Sequence, residues 1–382
     1  MSGLKQKADN GNPSRELLTK SRKALLFRSG VAVLAIILFV SMWSIGSAIL
    51  RDDGLTTSGK IATWARNHHL GKIVDFAEFI RYRNPPEDVV PTELPSLTRS
   101  TIDPSGANNF SPPPVRVIHS PAIADEGVWQ PVHIQDGIPN VWTTSIRPSK
   151  NHPAIIATHT LIDQTKLKAV LHNGTEVPGG KDWIHGNALT ESEANNAVFA
   201  FNSAFRREHS GGGYHTEGKE VWPLVDGVAS LAIDYTGKIH VGRWNRELSI
   251  DGVDGRQWSS VRQNLELLVI DGNLSDRLDT GYWGGGAKGE IYILRSAICE
   301  RFDGRVIFTI SGPTNATSLA STMKQVGCRY AMQLDQNESY PRGYIFERGI
   351  PRRIDKRMRG HDDDFIRGYS RDFIALLATK SE

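Results

Sequence analysis

The sequence predicts an α+β fold with a mixed, mainly antiparallel sheet and few helices. From about residue 127 onward, short apolar segments alternate with Asp-Gly and other glycine turns, a pattern typical of strands. Residues 235–237 and 302–304 fit hairpin connections between such strands. Helical periodicity is rare in the same region. One N-terminal transmembrane helix and one juxtamembrane amphipathic helix complete the predicted architecture.

The bulk composition is that of an ordinary globular protein. The chain has 382 residues, of which 39% are hydrophobic and 23% are charged. Its net charge of +3 does not indicate a nucleic-acid partner, and none is expected. Residues 1–22 are polar and contain Gly, Asn, Ser and Lys, which predicts a disordered cytoplasmic tail.

An uncharged apolar segment follows this tail. Residues 30–50 are about as long as a bilayer is thick, which predicts a transmembrane anchor over residues 23–50. Basic side chains precede the segment, so the positive-inside rule places the N-terminus in the cytoplasm and the bulk of a single-pass protein outside. Residues 30–50 would then contact the lipid bilayer. The alternative is a signal peptide cleaved near Gly46-Ser47-Ala48.

Three further segments divide the rest of the chain. Residues 51–83 carry apolar side chains at helical spacing, which predicts one amphipathic helix over residues 58–82. Asn84-Pro85-Pro86 ends that helix, whose apolar stripe could pack on the globular domain or lie at the membrane surface. A scaffold that docks another membrane protein through this helix is a further option. Residues 84–126 are rich in Pro and Ser and are interpreted as a linker. Residues 127–382 form the predicted globular domain.

Nine strands and one further helix are predicted in the globular domain. The helix begins at Thr314 or Asn315 and stops at Gly327. It links two strands in a strand-helix-strand unit, which is usually a right-handed parallel crossover. The predicted strands are residues 154–159, 168–172, 197–202, 229–235, 238–244, 265–271, 290–298, 306–311 and 329–335.

Two of these strands end in polar side chains. The strand at 197–202 leads into Asn202-Ser203-Ala204-Phe205-Arg206 and then the glycine loop 211–213. The strand at 329–335 ends in Asp335 and is followed by Gln336-Asn337-Glu338. Rigid scaffolds commonly present their chemistry at such strand ends. Two of them in one chain predict a shared site, provided that the strands are neighbours.

The order of these motifs resembles the phosphodiester glycosidase family, which includes N-acetylglucosamine-1-phosphodiester alpha-N-acetylglucosaminidase. The matching motifs are Asn202-Ser203-Ala204-Phe205, the glycine loop, Arg295-Ser296-Ala297, Gly327-Cys328 and Leu334-Asp335. A membrane-anchored actinobacterial branch of the family is the closer match, and the resemblance covers residues 127–345 and extends weakly to Ser370-Arg371-Asp372-Phe373. Two departures stand out. Ser203-Ala204 replaces a double glycine, and Gln336-Asn337-Glu338 replaces a triple glycine.

The resemblance implies a hydrolase that cleaves a sugar 1-phosphodiester, with a carbohydrate or phosphate-containing envelope polymer as its partner. Arg295 matches the family's arginine and would grip phosphate with paired hydrogen bonds. Asp335 matches the family's aspartate and would be a nucleophile, a general base or a metal ligand, or else a structural carboxylate. Asn202 matches the family's asparagine and would bond a sugar hydroxyl or phosphate, or cap the turn.

Other residues are assigned to the same site from their own chemistry. Glu338 could complete a carboxylate pair or fill space that the family leaves open. His215 and Glu217 form a titratable pair on the glycine loop, or a mobile turn. The remaining predicted substrate-binding residues are Ser203, Arg206 and Asn337. A second glycine run, at 284–286, could cover the site, and neither a metal nor a cofactor is expected.

Two interpretations of the chemistry and two of the cysteines stay open. A non-catalytic module that binds an envelope glycan is the alternative to the enzyme, and the lost glycines favour it. Cys299 and Cys328 are the two cysteines of the chain. An oxidising compartment would permit a disulfide between them, whereas two buried thiols are the alternative.

Overall fold

The computed structural model describes residues 13–51, 55–95, 110–249, 258–280, 283 and 291–379. The glycine run 284–286 and much of the predicted tail and linker lie outside the described residues. The chain divides into two compact units, Met1–Asp52 and Asp53–Glu382.

The first unit contains one long helix, α1 (Pro13–Ile49). Within it, Phe27–Ile49 is 23 residues long with a mean hydropathy of 2.2, so this segment is long and apolar enough to cross a membrane. A signal sequence has the same properties. The predicted apolar N-terminal helix is therefore confirmed at this level.

The second unit begins with a pair of helices where the sequence predicted one. The chain leaves α2 at His68, and His69 adopts a left-handed backbone with φ of 63°, which ends the first helix before the second starts. Thr56 caps α2, because its side chain accepts a hydrogen bond from the backbone N–H of Gly59. The helices of this unit are α2 (Thr57–Asn67), α3 (Gly71–Tyr82), α4 (Glu191–Asn196), α5 (Arg207–Ser210), α6 (Ala316–Gln325) and α7 (Asp364–Arg367).

Strands dominate the remainder, and every ladder between two of the described strands is antiparallel. The predicted α+β class is confirmed. The strands are β1 (Gln130–Gln135), β2 (Ile138–Ile146), β3 (Ile156–Ile162), β4 (Leu167–His172), β5 (Ala197–Asn202), β6 (Tyr214–Thr216), β7 (Lys219–Trp222), β8 (Ala229–Asp234), β9 (Ile239–Arg243), β10 (Trp258–Gln263), β11 (Leu267–Ile270), β12 (Asn273–Leu274), β13 (Ile293–Arg301), β14 (Val306–Thr314), β15 (Cys328–Gln336), β16 (Gly343–Glu347), β17 (Ile350–Arg353) and β18 (Phe373–Ala378).

Three sheets organise these strands. The largest has the order β1-β2-β3-β14-β13-β15-β11-β12. The second has the order β17-β16-β5-β18-β4, and the third β7-β6-β10-β8-β9. The predicted crossover β14-α6-β15 is present in modified form. Both strands pair antiparallel with β13, so they run parallel to each other with β13 between them.

The core lies mainly between the first two sheets. Phe201 of β5 and Phe308 of β14 pack with their ring centroids 4.9 Å apart, and both side chains are fully buried. On the opposite side of the largest sheet, α6 packs Leu319 and Met323 against Ala331 of β15. Burying helix and sheet faces in this way leaves the strand ends free to carry polar groups.

The strands β13 and β15 are joined covalently as well as by hydrogen bonds. Cys299 and Cys328 form a disulfide, with their Cα atoms 5.7 Å apart. In the chain-entropy description, closing a loop of 29 residues stabilises the fold by about 3 to 4 kcal/mol. The crosslink fixes the strand whose far end carries Asp335.

Candidate functional site

Asp335 lies at the end of β15 in a cleft and is almost completely buried, with 2% of its surface exposed. Its Oδ1 accepts a hydrogen bond of 2.7 Å from the backbone N–H of Gln336. Burial raises the pKa of Asp335 to about 7, although Arg371 and the Gln336 N–H oppose this shift. The carboxyl group can therefore hold or release a proton near neutral pH, as a general acid or base must.

Arg371 is the cation beside this carboxyl group. Its Nη1 lies 3.5 Å from Asp335 Oδ2, and its guanidinium lies 3.6 Å from the ring centre of Tyr340. It is 8% exposed, and its buried Nε has no hydrogen-bond partner. The aromatic ring holds the guanidinium by a cation–π contact, while the group keeps donor capacity for an anion.

A second buried carboxylate, Asp372, lies behind this pair. Its Oδ2 accepts a hydrogen bond of 2.8 Å from Arg262 Nε. The guanidinium of Arg262 lies 5.1 Å from the ring centres of both Tyr214 and Trp222. The charge of Asp372 adds to burial in raising the pKa of Asp335. Arg262 thus forms a buried ion pair with Asp372 behind the Asp335 carboxyl group.

Asn202 braces the strand ends but is fully engaged by the protein. Its Nδ2 donates to Ser296 Oγ at 3.0 Å and to the Ser203 carbonyl at 2.8 Å. Its Oδ1 accepts from the Arg342 N–H at 2.8 Å. Ser296 Oγ in turn accepts from the Asp335 N–H at 3.2 Å. The brace links β5 of one sheet with β13 and β15 of the other, so the two predicted strand ends do meet.

The pair α2 and α3 closes the cleft from the side opposite Asp335. Thr63, Arg66, Asp75 and Glu78 line it from these helices. Arg66 bonds both carboxylates, at 3.1 Å to Asp75 and 2.8 Å to Glu78. The Thr63 and Tyr340 hydroxyl oxygens are 2.8 Å apart, which ties α2 to the loop after β15. The two helices therefore pack on the globular domain, one of the alternatives that the sequence left open, with Phe79 and Tyr82 against Ile291 and Ile293. Ile73, Phe76 and Ile80 of α3 stay exposed.

The enclosed space is small. It measures about 60 Å³. Sites for small molecules usually measure about 300 to 1,000 Å³. The cleft is therefore smaller than a usual small-molecule site.

Arg206 and Asn337 are the predicted substrate-binding residues that line this cleft beside Asp335. Arg206 Nη1 bonds Asn67 Oδ1 at 2.6 Å and its Nη2 bonds Glu176 Oε2 at 2.6 Å. Asn337 lines the cleft, but its Oδ1 accepts from the Ser339 N–H. Ser203 is buried behind the strand end, with its Oγ unpartnered.

Arg295 occupies a different place from the one that the resemblance implied. It is fully buried in the core and makes five hydrogen bonds to neutral oxygens. The acceptors belong to Trp283, Ile291, Thr314, Gln333 and Gln336. Burial lowers the pKa of Arg295 to about 9. The expected phosphate grip is therefore corrected: Arg295 cross-links strand and loop oxygens in the core.

Glu338 points away from the carboxyl group that it was expected to assist. Its Oε1 accepts hydrogen bonds from Tyr82 Oη at 3.0 Å and Arg81 Nη2 at 3.2 Å. Glu338 lines a neighbouring depression together with Arg81 and Tyr82, the last two residues of α3. The sequence expectation of an Asp335–Glu338 pair is corrected, because the donors on α3 draw the Glu338 side chain outward.

Glu217 and His215 also lie apart from the cleft. Glu217 accepts hydrogen bonds from the backbone N–H groups of Ile184 and His185, at 3.0 and 2.9 Å, and from Asn173 Nδ2. It occupies a tight turn with φ of 52°. His215 lies on β6, opposite Val261 and Glu220. The expected catalytic role of Glu217 is corrected to that of a turn-forming carboxylate.

Several residues in and behind the cleft were not assigned to the site from the sequence, although the resemblance extends weakly to Ser370-Arg371-Asp372-Phe373. Arg371 and Asp372 directly precede β18, and Phe373 pairs with Asn202 across the sheet. The sequence does carry a pattern that could have indicated them. Polar residues adjoin an apolar strand here as they do at Asn202 and Asp335, but they stand at the start of the strand and not at its end. The other missed lining residues are Arg66, Asp75, Glu78, His209 and Tyr340.

The fold and the cleft define an α+β protein of antiparallel sheets that presents a carboxyl group and arginines at converging strand ends. The family model of phosphodiester glycosidases matches residues 195–336. This match confirms the resemblance seen in the motifs. It includes Asn202, Arg295 and Asp335 and ends before Arg371. The family is one of glycosidases that act on phosphodiesters, which favours an enzyme.

Solved structures add similar folds at low identity. The catalytic domain of zebrafish N-acetylglucosamine-1-phosphodiester alpha-N-acetylglucosaminidase, auto-inhibited by its pro-peptide, is 16% identical with a TM-score of 0.40, covering 63% of this chain and 83% of that chain. A hypothetical protein from Synechocystis is 12% identical with a TM-score of 0.36, covering 62% and 64%. A putative exported protein from Burkholderia pseudomallei is 12% identical with a TM-score of 0.39, covering 58% and 74%. No curated protein matches the chain.

Proposed function

We propose that this protein is a membrane-anchored, extracytoplasmic hydrolase that cleaves a sugar 1-phosphodiester bond in an envelope glycan or glycoconjugate. The observation that carries the proposal is the pair of Asp335 and Arg371. It combines a carboxyl group with a pKa of about 7 and a buried guanidinium that retains an unpartnered N–H, in one cleft. Such a pair suits a reaction that needs both a proton and an anion ligand.

Each charged group of the cleft has a role in this proposal. Protonated Asp335 donates to the oxygen of the departing phosphate, and Arg371 and Arg206 bind the phosphate oxygens. Asp75 and Glu78, which Arg66 holds in ion pairs, face the sugar ring where positive charge develops. Asn202 positions the strand ends and does not contact the substrate.

The location rests on the N-terminal helix and the crosslink. The apolar segment Phe27–Ile49 acts as an uncleaved anchor, and basic residues on its N-terminal side hold that end in the cytoplasm. The disulfide Cys299–Cys328 supports an oxidising, extracytoplasmic location for the rest of the chain. The chain would consist of a cytoplasmic tail (1–22), an anchor (23–50), a juxtamembrane helical segment (51–83), a linker (84–126) and a globular domain (127–382). The helices α2 and α3 would form part of the active site.

One observation favours a second candidate function, a binding module for an envelope glycan or phosphate-rich polymer. Glu338 points away from Asp335, and Glu217 is engaged by a turn, so neither supplies the second carboxylate that the reaction needs. On this alternative the arginines bind phosphate groups and no bond is cleaved. Turnover separates the two functions.

The decisive experiment is a hydrolysis assay of the full chain in detergent against a panel of sugar 1-phosphodiesters. We expect Asp335→Asn to lower kcat by about 10²- to 10⁴-fold, because the proton donor is lost. Arg371→Gln should raise KM and lower kcat, because the phosphate loses a charged ligand.

Matched controls lie at the far end of β15. Asp271 and Arg329 form an exposed ion pair of 3.2 Å there, so Asp271→Asn and Arg329→Gln change the same charges away from the cleft. Both controls should keep normal turnover. Undiminished turnover in Asp335→Asn and Arg371→Gln would exclude this site. Saturable binding of the substrates without hydrolysis would establish the binding module instead.

A further inference from the structure

Three metal-ligating side chains converge outside the cleft, near the end of β4. They are His172, His185 and Glu193, and their ligand atoms all lie within 4.8 Å of one another. His172 Nε2 lies 3.6 Å from Glu193 Oε1, and His185 Nδ1 lies 3.0 Å from the same oxygen. Ligands about 2.0 to 2.2 Å from a tetrahedral ion are separated by similar distances, so one ion fits among the three atoms.

His172 is arranged as a metal ligand would be. It is fully buried, and its Nδ1 lies 3.0 Å from the Gly186 carbonyl, which accepts the proton of that nitrogen. The Nε2 lone pair therefore points into the cluster, and this buried atom has no hydrogen-bond partner. The ring also stacks on Phe373 with centroids 4.5 Å apart. Metal-bound histidines commonly have this second hydrogen bond, which fixes the tautomer and the ring orientation.

Glu193 is also held in position by its other oxygen. Its Oε2 accepts hydrogen bonds from the Thr190 N–H at 2.9 Å and from Thr190 Oγ1 at 2.8 Å, in the capping box of α4. Oε1 is left to face the two imidazoles. The loop that carries His185 is fixed by Glu217, which accepts the His185 N–H at 2.9 Å. These contacts fix the positions of all three ligands before any ion binds.

We propose that His172, His185 and Glu193 form a binding site for one divalent transition-metal ion of the zinc type. Two imidazole nitrogens and one carboxylate oxygen suit zinc, whereas calcium and magnesium prefer oxygen ligands. Three protein ligands leave a fourth position, and the half-buried His185, 34% exposed at its side chain, places that position toward solvent. This proposal is independent of the proposed hydrolase function.

The site would organise the loop that borders the cleft. His172 pairs with Phe373, and Phe373 pairs with Asn202, so the three residues lie in register across neighbouring strands. The loop between His172 and His185 carries Glu176, which bonds Arg206 of the cleft. A bound ion would therefore restrict the segment that holds one of the cleft arginines.

Zinc chloride is the probe for the test, added to the full chain in detergent after treatment with a chelator and without an affinity tag. We expect one zinc per chain, measured by titration calorimetry and elemental analysis. His185→Gln and Glu193→Gln should each weaken binding by at least about 10-fold. Cobalt(II) in place of zinc should give the visible absorption bands of a tetrahedral site, and both variants should lose them.

The control is His119→Gln, which removes a histidine that bonds the Ser149 carbonyl elsewhere in the chain. It should bind zinc like the unmodified protein. His185 is partly exposed, so its variant should fold, and circular dichroism without metal checks this point. Zinc binding that is unchanged in His185→Gln and Glu193→Gln, or absent from the unmodified chain at micromolar zinc, would overturn the proposal.

Discussion

Asp335 and Glu217 are both carboxylates next to the end of a strand, yet their surroundings differ. Glu217 accepts three hydrogen bonds, two of them from backbone N–H groups. Asp335 accepts one good hydrogen bond and lies at 3.5 Å from Arg371. The protein satisfies the Glu217 carboxylate with hydrogen bonds, whereas the Asp335 carboxyl group is buried with few hydrogen bonds to offset its loss of solvation. Under-compensated burial therefore favours Asp335 over Glu217 as the candidate reactive group.

Arg295 and Arg371 show the same contrast between two cations. Arg295 makes five hydrogen bonds to core oxygens, whereas the buried Nε of Arg371 has no partner. The arginine that the family resemblance indicated is the saturated one. The one with remaining donor capacity lies outside the matched segment.

The largest effect on stability should come from Arg295→Met. This change leaves several buried oxygens without a donor, so we expect the free energy of unfolding to fall by about 3 to 5 kcal/mol. Urea unfolding measures it, with Arg329→Met at the exposed end of β15 as the control, expected within about 0.5 kcal/mol. A stable Arg295→Met protein that has lost only substrate affinity would restore Arg295 as a phosphate ligand.

A smaller effect should appear in the dependence on pH. The pKa of Asp335 is about 7 in the folded state, against an ordinary value of 3.8. Between these two pH values the folded state binds more protons than the unfolded state, so the free energy of unfolding falls as pH rises. Asp335→Asn should remove this part of the slope, measured by urea unfolding at about pH 5 and about pH 8.

The rate should depend on pH in the same direction. If Asp335 acts as the proton donor, kcat should decrease as pH rises through about 7. An increase in kcat over that range would indicate a base or nucleophile in its place.

The smallest effect should follow Glu217→Gln. One acceptor oxygen remains, so we expect a loss of about 1 to 2 kcal/mol in stability and no change in turnover. Glu220→Gln, on the exposed strand β7, provides the matched control. A large loss of turnover with normal stability, comparable to that expected for Asp335→Asn, would contradict the structural role of Glu217.

Local patterns predicted much of the fold because apolar runs define buried strands. The strand Ala197–Asn202 was predicted with its observed bounds, and α6 starts at Ala316, close to the predicted start at Thr314 or Asn315. Nine of the eighteen described strands were not predicted, namely β1, β2, β6, β7, β10, β12, β16, β17 and β18. Some of them, such as β6 and β7, are short, and β10 is polar. Trp258–Gln263 contains two serines, an arginine and a glutamine and is held by its partners β6 and β8. For such segments, pairing with neighbouring strands and not local sequence determines whether a strand forms.

The sequence predicted part of the candidate site, because polar residues that follow apolar strands can be recognised from the sequence. Asn202 and Asp335 were found as polar residues at strand ends, and β5 and β15 do meet there. The direction of Arg295 could not be predicted, because the ladder between β13 and β15 shifts register between Arg295 and Ala297. A bulge of this kind re-aims side chains without any signature in the alternation. The position of Arg371 in the cleft could not be predicted without knowing that β18 pairs with β5.

The contribution of α2 and α3 to the cleft has a practical consequence for anyone trimming the gene. An expression boundary drawn around the matched residues 195–336 would delete Thr63, Arg66, Asp75 and Glu78 at one end and Tyr340 and Arg371 at the other. The resulting fragment would keep the aspartate but lose most of the surrounding wall. An inactive fragment of that length would say nothing about the intact polypeptide.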